Sequence, residues 1–158
     1  MNNNIYTNID KIKTIIDKLV NYSGYLFEII YDNKLPMPGM SFVEKDFRGI
    51  NRYKVVINYD IVKNESPSVI AHILSHEWGH HILKHTLVNP SLLSAHRISE
   101  TEIEADTYAY NFIIQNNYNI EDIQNYIKKN FEYESRDFKN KLDLFKKRIN
   151  VLNNKTSN

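Results

Sequence analysis

The stretch NESPSVIAHILSHEWGHHILKHTL, residues 64–87, constrains the fold more than any other part of this chain. Ser66 suits an N-cap and Pro67 the first helical position, where its missing N–H costs nothing. No further proline interrupts the run, so the spacing predicts a helix from about Ser66 to Leu87. Val69, Ile73, His76, His80, Leu83 and Leu87 form one stripe along it, and Ile70, Leu74, Trp78 and Ile82 form a neighbouring one. Two histidines therefore project from a face that is otherwise apolar and directed at the core. Polar rings in such a place need partners, because a buried polar group without one is costly.

Composition narrows what those partners can be. The chain has 158 residues, 42% of them hydrophobic, enough for one sizeable core, and a single domain over residues 1–152 with a disordered tail at 153–158 is expected. It has no cysteine, which excludes disulfides, thiolate metal sites and a cysteine nucleophile together. A transition metal would have to be held by His, Asp or Glu. With 20 basic and 19 acidic residues the net charge is +1, so no whole-molecule field recruits nucleic acid or anionic lipid. Neither a signal-peptide pattern nor an apolar run of about 18 residues is present, and the expected location is the cytoplasm, with no membrane association.

The remaining elements follow from periodicity. Ile5, Ile9, Ile12, Ile16 and Leu19 mark an amphipathic first helix, which Gly24 suits as a C-terminus. YLFEIIY (25–31), SFVE (41–44) and YKVVINY (53–59) read as three strands. The polar KDFRGINR joins the last two. A loop, NPSLLSAHRIS, separates the histidine-bearing helix from a helix over about 99–116, followed by a shorter one over 119–130. A last helix starts near Ser135 with Phe138, Leu142, Phe145, Ile149 and Leu152 on one side. Its lysines and Arg148 read as a solvated face and not as a nucleic-acid patch. The whole is an α+β fold: a small, mainly antiparallel three-stranded sheet packed on the His76–His80 helix, with flanking helices.

HEWGH, residues 76–80, has the spacing of a metal-binding pair. Positions four apart lie one turn apart on the same face, so His76 and His80 can aim ring nitrogens at one ion about 2 Å away. Glu77 is offset by about 100° and stands beside such an ion, where a carboxylate can act as general base. A catalytic zinc keeps three protein ligands and a water, so a third is needed. ETEIEAD, residues 100–106, supplies candidates: Glu102 as ligand, and Asp106 one turn on as acceptor of the outer N–H of a ligating histidine. Ser99 and Glu102 also stand in capping-box register, a competing use of Glu102, and a solvated acidic face is the competing use of Glu104 and Asp106, but the placement after the histidine helix favours ligation. His72, His81, His85 and His96 read as packing or surface residues. His72 and His85 could be further ligands only at angles poorly matched to closure. His96, Tyr108 and Tyr110 are candidates for stabilising a developing oxyanion.

VIAHILSHEWGHHILKH followed by ETEIEADTYAYNF resembles the gluzincin-type zinc metallopeptidases, most closely the small ImmA/IrrE-like family. The likeness runs over residues 5–116 in order of elements, while motif identity covers only 76–80 and 102–106. Asp106 stands where that family more often has Asn, and ExEAD is similar to the HtpX/Ste24-like gluzincins, whose members are usually membrane-embedded. The resemblance implies a zincin-like domain, one Zn2+ per chain on His76, His80 and Glu102, Glu77 as general base, and endopeptidase action on a protein or peptide. In the best-known members the substrate is a repressor. This chain shows no helix-turn-helix, so no direct nucleic-acid binding is expected, and a substrate protein would have to be reached by direct contact or through a protein partner for targeting. A second class stays open: an inactive relative serving as a protein-binding module. The intact Glu77 argues against it, since a structural site gains nothing from an acid beside the ion.

Overall fold

The computed structural model describes residues 3–134 together with 147, 148 and 150. The expected helix from Ser135, apart from residues 147, 148 and 150, lies outside the described residues, as do the 152 boundary and the tail at 153–158. In chain order, α1 (Asn3–Ser23) leads into β1 (Glu28–Tyr31), β2 (Gly39–Lys45) and β3 (Asn51–Ile57). Then come a one-turn α2 (Tyr59–Val62), α3 (Pro67–Ile82), two short 3-10 turns at 85–87 and 90–92, α4 (Ala95–Gln115) and α5 (Ile120–Glu134). The architecture is α+β, as the sequence predicts. No helix among the described residues is long and apolar enough to cross a membrane.

The sheet order is β1-β3-β2. β2 and β3 pair antiparallel through a tight connection. There Asp46 accepts the backbone N–H groups of Arg48 and Ile50, and Gly49 takes a positive φ of 78°. β1 pairs parallel to β3, so the sheet is mixed, with the longer of its two ladders antiparallel. Buried Asn58 fixes the exit from β3: its side chain donates to the Leu35 carbonyl (2.7 Å) and accepts from Ile61 N–H to cap α2.

One apolar cluster joins Ile12, Ile15 and Leu19 of α1 with Val55 and Ile57 of β3, Ile70, Leu74 and Trp78 of α3, and Phe112 and Ile113 of α4. Trp78 is fully buried, its ring against Phe27 and its Nε1–H donating to Ser23 Oγ (3.1 Å). Thus α3 runs through the centre, with α4 along one flank and the sheet along another.

Two helix boundaries that bear on the site differ from the sequence expectation. α3 starts as predicted, with Ser66 Oγ accepting Val69 N–H, but ends at Ile82 and not at Leu87. Lys84 takes a left-handed φ of 63°, and the following turn folds back so that Thr86 meets His81 and His85 meets His80. Those are contacts five residues apart, which a continuing helix would not bring face to face. α4 begins at Ala95 and not near Ser99, because Ser94 Oγ accepts Arg97 N–H and is the cap. Ser99 is thereby inside the helix, and the capping-box use of Glu102 falls away.

Glycine inside α3 is explained by its neighbour helix. A Cβ added at Gly79 would stand 3.1 Å from Tyr108 Cβ and Cδ1, so the missing side chain lets α4 approach. Helix propensity alone favours Ala over Gly by about 0.8–1.0 kcal/mol. Gly79→Ala is nevertheless expected to destabilise by about 1–3 kcal/mol, because Tyr108 Cβ is fixed to its own backbone and cannot give way. Urea denaturation checks this, and a stabilised variant would show that the helices have slack.

Candidate metal centre

The close approach of α3 and α4 sets Glu102 against the two histidines. His76 Nε2 and His80 Nε2 are 3.1 Å apart, and the Glu102 carboxylate lies 3.3 Å from the first and 3.4 Å from the second. Among the described residues these three are the group whose donor atoms could hold a metal ion. The fit can be tested on the separations. Ligands bound at about 2.0–2.1 Å in tetrahedral directions stand roughly 3.3 Å apart, which is the spacing found here. The donor set of two imidazoles and a carboxylate also suits zinc and leaves a fourth direction free.

Each histidine is held from behind. His76 Nδ1 donates to Asp106 Oδ1 (2.8 Å), which presents the Nε2 lone pair to the centre. Asp106 is only 2% exposed, and its charge is met by Arg148, whose guanidinium donates through Nη2 to Oδ1 (2.9 Å) and through Nε to Oδ2. Arg148 is therefore no part of a solvated face, contrary to the sequence reading. An ion pair reaching from residue 148 to 106 has no local signal, because charge on an amphipathic helix ordinarily marks the wet side. His80 Nδ1 lies 3.0 Å from His85 Nδ1, and His85 Nε2 lies 2.6 Å from Glu104 Oε2. Glu104 is bound in turn by Arg97 (3.0 Å).

The electrostatics follow from burial against these partners. Burial pushes the His76 ring down, but Asp106 and Glu102 outweigh it and raise its pKa to about 10. Burial pushes Glu102 up, and hydrogen bonds from His76 and His80 more than reverse this, holding the carboxyl far below the usual range. Asp106 is likewise held low against burial by the Arg148 charge and by His76. Burial also depresses the ring pKa of His85, more than Glu104 restores it. His72 is driven by burial down to about 4 and belongs to the core, with no role in holding an ion.

Glu77 stands at the mouth of the cleft formed by β2 on one side and the 85–93 turns on the other, about 540 Å³ in volume. Ser41 Oγ donates to Glu77 Oε2 (2.9 Å), a contact with no local signal in the residues around either partner. Gly39 makes it possible, since a Cβ there would meet Ile73 Cγ2 at 3.1 Å and Glu77 Cγ at 3.2 Å. The three oxyanion candidates are elsewhere. His96 is in the first turn of α4, not in a loop, and pairs with Glu100 on the surface. Tyr108 packs on Gly79 and edge-on to Tyr22, and Tyr110 is in the core. None of them lines the cleft.

Residues 2–139 match the model of a family described as peptidase U49. The chain belongs to the peptidase U49 family. It is accordingly a peptidase, and the matched span contains every helix and strand described above, with Arg148 beyond it. Among curated proteins and among solved structures there is no match.

The proton that the two carboxylates keep on His76 against the effect of burial sits where a cation would. A zinc ion bound there would have to expel it, so below about pH 10 the apparent affinity for zinc should rise about tenfold per pH unit, one proton released per ion. Calorimetric titration in buffers of different ionisation enthalpy measures that proton. A pH-independent affinity between pH 6 and 8 would show that the metal does not displace it.

Proposed function

We propose that the chain is a zinc-dependent endopeptidase with an ImmA/IrrE-like centre, hydrolysing peptide bonds in a protein substrate. One observation carries the reading: two Nε2 atoms and a carboxylate converge at tetrahedral spacing, with Glu77 beside them and fastened to the strand that walls the cleft. One Zn2+ per chain on His76, His80 and Glu102 would supply a Lewis acid that polarises the scissile carbonyl and acidifies water.

The chain's own residues supply the rest. Among the described residues β2 is an edge strand, since β3 takes only one of its sides, and residues 39–43 line the cleft. An extended substrate segment can be laid along the open side by main-chain hydrogen bonds, without regard to its side chains. Met37, Met40, Leu87, Val88 and Ile98 give the walls an apolar character suited to apolar side chains next to the scissile bond. Ser41 occupies Glu77 Oε2 and so leaves Oε1 to take the proton of the attacking water and return it to the leaving amine. Asp106 and Arg148 keep His76 in the tautomer that presents Nε2. The family resemblance favours a regulatory protein as substrate, located in the cytoplasm and reached by direct contact or through a partner.

Glu77→Gln preserves the shape of the side chain and removes its basicity. Zinc content and folding should survive it, and hydrolysis should fall by about 10²- to 10⁴-fold. New peptide termini produced in a host proteome by wild type, and lost on chelation and in Glu77→Gln, would establish the activity. Equal termini from both proteins, or none from either while both capture the same partner, would favour a binding module.

A further inference from the structure

The two histidines of the centre differ in how their far nitrogens are held. His76 Nδ1 faces a carboxylate, which can only accept, so its tautomer is fixed at once. His80 Nδ1 faces another imidazole nitrogen, His85 Nδ1, at 3.0 Å, and two such atoms can share only one hydrogen. Which ring carries it is decided one step further out. His85 Nε2 lies 2.6 Å from Glu104 Oε2, an acceptor, so the proton of a neutral His85 sits on Nε2 and its Nδ1 offers a lone pair. His80 Nδ1 must then be the donor, which frees His80 Nε2 for a cation. Had the order been reversed, with His85 donating, His80 would carry its proton on Nε2 and be closed to metal.

We propose that His85 and Glu104 are positioning residues for His80: together they set its tautomer so that Nε2 faces the metal. The proposal rests on the reading of His76, His80 and Glu102 as a metal site. It also gives the early end of α3 a purpose. The left-handed Lys84 and the turn at 85–87 carry His85 back over the helix end, where it meets His80 across five residues of sequence. His85 is not a fourth ligand, because it contacts the nitrogen of His80 that points away from the centre. Its side chain is 7% exposed and that of Glu104 is 43%, so the arm runs from the buried site to the surface, where Arg97 holds its end.

The test measures zinc affinity of the full chain by competition with a chromophoric chelator at one pH, together with the melting temperature of the metal-free protein. His85→Leu removes the acceptor and should weaken zinc about 10- to 100-fold, in line with other losses of support behind a ligand. His85→Asn places a carbonyl oxygen near the position of Nδ1 and should recover most of that loss. Glu104→Ala should weaken zinc by less than His85→Leu with an unchanged metal-free melting temperature, since its side chain is largely on the surface. If His85→Leu does not fold, the Asn and Glu104→Ala variants decide alone. Wild-type affinity in all variants overturns the proposal, and so does an Asn variant as weak as Leu, which would reduce His85 to packing. His76→Ala separates the underlying reading: if wild type binds zinc no better than His76→Ala, the metal site itself fails and this inference with it.

Discussion

A carboxylate that is almost wholly buried, Asp106, is the pivot of this structure. Left alone it would be costly, and the chain meets it with one proton donor from α3 and a guanidinium from residue 148. Those bonds fix the rotation of α4 relative to α3. Once that rotation is set, Glu102, one turn before Asp106, can only face the two histidines, and the rest of the centre follows. Gly79 sets the distance between the helices and Asp106 sets their phase.

Much of this was legible in the sequence because it obeys helical spacing. The start of α3, the shared face of His76 and His80, the pairing of Glu102 with Asp106, and the three strands all depend on residues within a turn or two of each other. What escaped depends on contacts between distant residues or on backbone choices that residue type does not announce. Lysine has no preference for a left-handed φ, so nothing at Lys84 signals the end of α3, and His85 therefore looked like one more helical position. Ser99 has the stronger cap signal for α4, with Glu102 three residues on, and only the fold selects Ser94 instead. Arg148 and Ser41 reach the site across 42 and 36 residues, beyond any local rule. The parallel pairing of β1 with β3 belongs to the same class.

The cleft has unequal walls. One is β2, pressed on α3 at a glycine and pinned to Glu77 by a serine hydroxyl, so it is locked to the carboxylate it serves. The other consists of two short 3-10 turns, tied to the centre chiefly through His85 and to themselves by the Asn89 cap. A shift of the second wall would reach the centre through His80 first, while His76, anchored in the core, would hold its place.

If substrates are laid along the open side of β2, as proposed above, that mode limits what the protein can cut. A strand edge that recognises its partner through main-chain N–H and C=O groups senses conformation before it senses sequence. Helices and paired strands have already spent those groups on themselves and cannot be laid there. Were substrates bound that way, folded proteins, this one included, would be largely spared, and the vulnerable population would be restricted to tails, linkers and partly unfolded chains. On that view, selectivity lies less in the cleft than in how long a given segment stays extended.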